Sequence, residues 1–95
     1  MKRPSKKWAV ATGFEQLRDD FHYRLDLTRL DPKTMDYADL YLFDKNDWRF
    51  KACVFGRHKG SLYTRATIEL NCPTIAQIER ACAGVGFKLP CGSPS

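Results

Sequence analysis

The sequence has few of the features by which metal proteins, hydrolytic enzymes and membrane proteins are usually identified. It contains two histidines, His22 and His58, and its four cysteines include no CxxC pair. Structural zinc sites usually take ligands from such close-spaced pairs, so no metal site is predicted. No uncharged run approaches the ~20 apolar residues of a membrane-spanning helix. We therefore expect no metal, no cofactor and no membrane segment, and we assign no catalytic residue.

The sequence also shows no pattern of a secretory signal. The N-terminus is basic, but no apolar stretch follows it, so the sequence predicts a cytoplasmic protein. Cysteines in that compartment are usually reduced thiols. Cys53 and Cys82 fall inside predicted regular elements, where a cysteine most often acts as a small buried apolar residue.

What the sequence does have is charge, unevenly distributed. The chain has 95 residues, enough for one domain, and its net charge is +5. Residues 1–7 carry four cations and no acid, residues 8–47 five cations and nine acids, and residues 48–95 seven cations and two acids. Such asymmetry indicates an anionic partner at one face. The alternative is a solvated surface that only keeps the protein in solution.

The sequence predicts a flexible basic arm over 1–7, a single domain over 8–90 and a tail over 91–95. A short strand is expected over 8–12. Thr12 and Glu15 have the spacing of a helix-capping box, which predicts a short helix over 13–20. Alternation of apolar and polar residues then predicts a strand from Phe21 to Leu27.

The second half gives the clearest pattern. Alternating runs predict strands over 39–43, 48–55 and 61–70, with a glycine-bracketed loop over 56–60. Thr74 and Gln77 form a second capping box and predict a helix over 74–83 that ends at Gly84 or Gly86. A last short strand is expected over 87–89. The predicted fold is a small α+β domain, an antiparallel meander of four or five strands with the C-terminal helix on one face and a short N-terminal helix.

The alternation also predicts a binding face. If the aliphatic side chains of the central strands are buried, their other face presents cations and aromatic rings, and the loop adds three polar residues. The candidate binding residues are Tyr41, Arg49, Lys51, Arg57, His58, Lys59, Tyr63 and Arg65. Cations neutralise phosphates, and rings stack on unpaired bases at ~1–3 kcal/mol per base.

This prediction has a structural alternative. Tyr41, Phe43 and Phe55 could form a second small core under the predicted helix 13–20, with the charges as its rim. The prediction also depends on unbroken alternation, because a one-residue bulge reverses the side-chain directions beyond it.

Three functions are compatible with these residues. The first is a non-catalytic basic module that docks on nucleic acid or on a nucleic-acid-handling complex. The second is a protein-binding inhibitor or adaptor, for example a phage protein directed at a host-defence nuclease complex, in which the acidic segment 8–47 mimics nucleic acid. The third is a small toxin-like ribonuclease without a metal, with His58 as general acid or base.

Overall fold

The computed structural model describes residues 2–90, so the predicted tail 91–95 lies outside the described residues. Its centre is a five-stranded antiparallel sheet whose strands neighbour one another in chain order. The strands are β1 (Glu15–Gln16), β2 (His22–Asp26), β3 (Tyr37–Asp44), β4 (Asp47–His58) and β5 (Ser61–Asn71). The helices are α1 (Lys6–Thr12), a 3-10 turn (Leu27–Arg29) and α2 (Ile75–Val85). The predicted α+β meander is confirmed.

One face of the sheet carries the hydrophobic core. Tyr23, Leu40 and Phe50 lie side by side in the register of β2, β3 and β4, and each is buried. Both helices pack on this same face, because Ala9 of α1 and Ile78 of α2 belong to the same core cluster. Side chains alternate between the two faces of a strand. The opposite face, which carries the alternate residues and no helix of the described chain, is called the open face below.

The structure corrects the predicted strand over 8–12, which is helix α1. The Ser5 hydroxyl accepts a hydrogen bond from the Trp8 backbone N–H at 3.1 Å, as an N-cap residue does. Gly13 ends the helix with φ 109°, a conformation that glycine adopts at little cost. Thr12 is therefore the last residue of a helix and does not cap a following one.

The predicted helix over 13–20 is also wrong. Glu15 and Gln16 pair with Arg24 and Tyr23 of β2, and the intervening residues form the connecting turn. Phe14 is buried against Trp8, with ring centroids 5.8 Å apart. Because of this strand pairing and burial, residues 14–16 are extended. The segment 13–20 therefore provides no helix that could cover the open face.

The basic residues 2–7 are placed against the domain, whereas the sequence predicted a flexible arm. The Lys2 carbonyl accepts a hydrogen bond from the Ile75 N–H at 2.9 Å, and Pro4 is fully buried. The Arg3 guanidinium donates to the Lys45 carbonyl and lies 5.2 Å from the centre of the Trp48 ring. The Arg3 contacts place this cation at the β3–β4 turn, whereas the Lys2 carbonyl lies at the start of α2.

Helix α2 begins and ends as predicted. The Thr74 and Gln77 side chains form the reciprocal capping box, and Gly86 ends the helix with φ 78°. The Phe87 N–H donates to the Cys82 carbonyl at 2.9 Å, a helix-terminating contact, and the Phe87 side chain is buried in the core. The predicted strand over 87–89 is wrong, because residues 87–90 are irregular and pair with no strand of the sheet.

The helices of residues 2–90 are short. The longer one, α2, has 11 residues, and neither is long and apolar enough to cross a membrane.

Candidate nucleic-acid interface

The hairpin of β4 and β5 extends beyond the rest of the sheet. Strand β3 pairs with β4 only as far as Cys53, and the following residues of β4 pair with β5 alone. Every residue from 57 to 65 is exposed. The molecule is correspondingly elongated, with extents of 44 × 26 × 23 Å. Residues 55–65 are called the projecting hairpin below.

The tip of the projecting hairpin is a tight turn. His58 and Ser61 are the last paired residues, and the two residues between them, Lys59 and Gly60, have φ 50° and 82°. Positive φ at both central positions is typical of a type I′ turn, whose twist matches that of the strands. The predicted loop over 56–60 is therefore wrong, because its first three residues continue β4.

A β-bulge marks the root of the projecting hairpin. Val54 pairs with Ala66, but Phe55 pairs with Thr64, which leaves Arg65 as one extra residue in β5. Asp36, which is buried, accepts a hydrogen bond from the Phe55 N–H at 2.8 Å. The backbone N–H of Phe55 at the bulge thus has a hydrogen-bond acceptor from outside the hairpin.

A second contact holds the other strand at the root. The Arg65 guanidinium donates to the Val85 carbonyl at the C-terminal end of α2. A cation at a helix C-terminus also interacts favourably with the helix dipole. Asp36 and Arg65 therefore fix the direction of the hairpin from both of its strands.

The bulge corrects the predicted arrangement of the binding face. Beyond it, Gly56 pairs with Tyr63, and a Cβ placed on Gly56 would lie 2.8 Å from the Tyr63 ring. Tyr63 therefore lies on the helix side of the ribbon, and Arg65 also reaches towards α2. Arg49 and Lys51 point to the open face. One extra residue reverses the alternation, and so the predicted single platform does not exist.

The candidate residues instead form two separate groups. On the open face, Tyr41, Arg49 and Lys51 line a hollow of about 410 Å³ together with Phe43 and Asp47. On the projecting hairpin, a shallow hollow of about 550 Å³ is lined by His58, Lys59, Ser61 and Tyr63. Arg57 pairs with Leu62 on the other side of the ribbon.

The two groups differ in net charge. Across the open face, the residues in register alternate in sign, in the order Glu15, Arg24, Asp39, Lys51 and Glu69. Lys51 lies 3.9 Å from Glu69, and Arg49 lies 3.5 Å from Asp47. The cations of the open face are therefore balanced by neighbouring carboxylates.

The projecting hairpin has no such balance. It contains three cations, Arg57, Lys59 and Arg65, and no acidic residue. None of the ion pairs within residues 2–90 includes Arg57 or Lys59. These two side chains are thus available to an anionic partner.

A charged cluster on the open face was not predicted from the sequence. Asp39 is buried, and its carboxylate accepts hydrogen bonds from Arg24 at 2.7 and 3.0 Å and lies 2.9 Å from His22 Nε2. Burial raises the pKa of the Asp39 carboxyl, but the bonds with Arg24 and His22 outweigh it and hold this pKa below its usual value. His22 and Arg24 do alternate in the predicted strand, yet only the register of β2 with β3 brings them to Asp39.

Aromatic rings pack beside this cluster without a covering helix. Tyr41 stacks on His22 with centroids 4.4 Å apart, and Phe43 lies 5.7 Å from Tyr41 and 4.9 Å from Phe21. Phe55 is not part of this group, because it contacts Tyr37. The predicted second core under helix 13–20 is thus replaced by rings that cover one another.

The chemistry that each group of residues offers follows from these contacts. The hollow on the projecting hairpin offers an imidazole, an ammonium, a hydroxyl and a phenol, groups that hydrogen-bond phosphates and bases. Within residues 2–90 no cluster of three or more His, Cys, Asp or Glu side chains could hold a metal ion. Comparison with known proteins found no matching family model, no similar characterised protein and no similar solved structure.

Proposed function

We propose that this protein binds nucleic acid through the projecting hairpin. The observation that carries the proposal is the pair of exposed cations, Arg57 and Lys59, on a ribbon that extends from the domain without a neutralising carboxylate. Phosphate groups are the anions that nucleic acids present at regular spacing. Lys and Arg side chains that neutralise them supply essentially all of non-specific binding and a large share of specific binding.

The rings of the hairpin add a second kind of contact. Tyr63 is 47% exposed, although it lies over Gly56, so one part of its ring is accessible. His58 lines the same hollow. Hydrogen bonds from these side chains to base edges and phosphates supplement the contacts of the two cations.

The acidic segment 8–47 offers weaker support for the alternative, a protein-binding inhibitor that mimics nucleic acid. Mimicry requires carboxylates that are free to meet a basic channel. Asp36 and Asp39 are buried, and their carboxylates accept hydrogen bonds from Phe55 and Arg24; the exposed Asp26 and Asp44 each accept one backbone N–H within a turn. These acids stabilise turns, the bulge and the open face, and for this reason we place the binding surface on the hairpin.

The experiment compares two charge-neutralised proteins. The test variant is Arg57→Gln with Lys59→Gln, and the matched control is Lys33→Gln with Arg80→Gln, which removes one exposed lysine and one exposed arginine elsewhere. Binding to a fluorescein-labelled oligonucleotide is measured by anisotropy over a range of salt concentrations. We expect weaker binding by the test variant and a salt slope that is shallower by about 1.4–1.8, the value for two lost phosphate contacts.

Two results would contradict the proposal. One is a wild-type protein that binds no oligonucleotide at low salt. The other is a test variant whose affinity and salt slope equal those of the control.

The ribonuclease alternative has its own measurement. Wild-type protein and His58→Ala are incubated with labelled RNA in the presence of a chelator. Cleavage by the wild type that disappears in the variant would establish the alternative, and intact RNA in both reactions agrees with a binding protein.

A further inference from the structure

We infer that the nucleic acid bound by the projecting hairpin is B-form duplex DNA, entered through the major groove. This inference rests on the proposed function and adds the class of ligand. Its starting point is the shape of the hairpin, a two-stranded antiparallel ribbon that ends in a two-residue turn.

The dimensions of the ribbon match that groove. Neighbouring strands are ~4.8 Å apart, and the major groove of B-DNA, about 12 Å wide and about 8.5 Å deep, admits a two-stranded ribbon. From Phe55 to Lys59 the strand rises by roughly 13 Å at ~3.3 Å per residue. The hairpin is therefore long enough to reach the floor of the groove while the domain remains outside.

The composition of the tip keeps the ribbon thin and polar. Gly60 and Ser61 add little bulk at the turn, and the side chains that project beside them are the polar or cationic Arg57, His58 and Lys59, with Leu62 as an exposed apolar neighbour. Arg57 leaves one side of the ribbon, and His58, paired with Ser61, leaves the other. Side chains that can hydrogen-bond bases or phosphates therefore leave both sides of the ribbon.

The root of the hairpin supplies the rigidity that groove insertion requires. The Phe55 N–H is held by Asp36 and Arg65 is held by the Val85 carbonyl. A ribbon whose direction is fixed before binding loses less conformational entropy when it docks. A stiff, protruding element is well suited to a deep groove and offers no advantage on a flat ligand.

Other forms of nucleic acid fit these features less well. The major groove of A-form RNA is too narrow and deep for side chains to read, and its minor groove is shallow. Single strands are bound on surfaces with several stacking rings, whereas Tyr63 and His58 are the only rings beyond Phe55 on the hairpin.

The test uses three labelled probes of one sequence: duplex DNA, duplex RNA and single-stranded DNA. We expect the wild-type protein to bind duplex DNA roughly tenfold or more tightly than either of the others. The Arg57→Gln, Lys59→Gln variant should lose most of this preference. Equal or tighter binding of RNA or single strands would overturn the inference and leave nucleic-acid binding intact. Binding of none of the probes would remove the proposed function as well.

A second measurement identifies the groove. Duplex DNA whose cytosines are glucosylated 5-hydroxymethylcytosine has its major groove filled, because C5 of cytosine faces that groove. Netropsin occupies the minor groove instead. We expect glucosylation to weaken binding roughly tenfold or more and netropsin to leave it unchanged. Inhibition by netropsin with tolerance of glucosylation would contradict entry through the major groove.

Discussion

The Arg24 guanidinium holds both oxygens of the Asp39 carboxylate, with Nε 2.7 Å from Oδ1 and Nη2 3.0 Å from Oδ2. The two residues are cross-strand partners in β2 and β3. The arrangement is a bidentate, charge-assisted pair on a sheet face that no helix of the described chain covers. It fixes the register of the two strands from the open side, while the apolar core fixes it from the other.

Replacing Arg24 should destabilise the protein more than replacing an ordinary surface arginine. In Arg24→Ala the Asp39 carboxylate, whose side chain is 7% exposed, loses two charge-assisted hydrogen bonds. We expect a loss of about 1.5–3 kcal/mol in the free energy of unfolding, towards the lower end because the Arg24 side chain is 43% exposed. Urea denaturation measures it. Arg49→Ala, which removes an exposed pair with Asp47, should cost less than ~1 kcal/mol, and equal losses in the two variants would contradict the prediction.

The Asp39 carboxyl should make stability depend on pH in the acid range. Its pKa is lowered in the folded protein from an ordinary value of 3.8. A lowered pKa contributes stability above the unfolded value that is lost as pH falls through the folded value. We therefore expect the difference in unfolding free energy between wild type and Asp39→Asn to be largest near neutral pH. It should shrink as pH falls below about 4, and a difference that grew with acidity would have the wrong sign.

Asp36 should control the root of the projecting hairpin. In Asp36→Ala the partly buried Phe55 N–H loses its acceptor, and we expect a loss of about 1 kcal/mol in the free energy of unfolding, the low end of the cost of an unpaired buried donor. We expect faster amide hydrogen exchange at Phe55 and in the hairpin, with smaller changes in the β2–β3 core. Asp36→Asn keeps a side-chain oxygen and is the matched control. Unchanged exchange at Phe55 in Asp36→Ala would show that this contact does not hold the bulge.

The cysteines should differ in their reaction with thiol reagents. Burial, with a smaller effect of Glu79, raises the pKa of the Cys82 thiol to about 12, and the side chain is inaccessible in the core. Cys72 is exposed. Because the thiolate is the reactive form, native protein should be alkylated at Cys72 well before Cys82. Mass spectrometry assigns the sites, denatured protein is the control, and equally rapid labelling of both in native protein would contradict the structure.

The sequence was sufficient for the parts of the fold in which local patterns agree with the packing. The alternation through β4 and β5 predicted one apolar face for these strands, and the structure buries Phe50, Ala52 and Ile68 on a single face of the sheet. The capping box of Thr74 and Gln77 placed the start of α2. Each of these signals is short-range, and the tertiary structure reinforces it.

The errors arose where a local signal had a stronger competitor. Thr12 and Glu15 have capping-box spacing, but Ser5 caps α1 and Gly13 ends it. Pairing with β2 then makes residues 15–16 extended.

The candidate site was divided by features that no periodicity shows. The bulge at Arg65 depends on Asp36, which is distant in sequence, and on the Val85 carbonyl of α2. Likewise, the Asp39 cluster depends on cross-strand register. Composition predicted the cations and rings, but only the three-dimensional pairing decides which of them lie together.

The pairing of the projecting hairpin limits how its length can change. Beyond the bulge, each residue of β4 has one partner in β5, and successive pairs face opposite sides. Removing or inserting a single pair between the bulge and Arg57 would exchange the sides occupied by Arg57 and His58. Steps of two pairs would preserve them and would move the tip by about 7 Å. The length of the ribbon can therefore change only in steps of two pairs if Arg57 and His58 are to keep their sides.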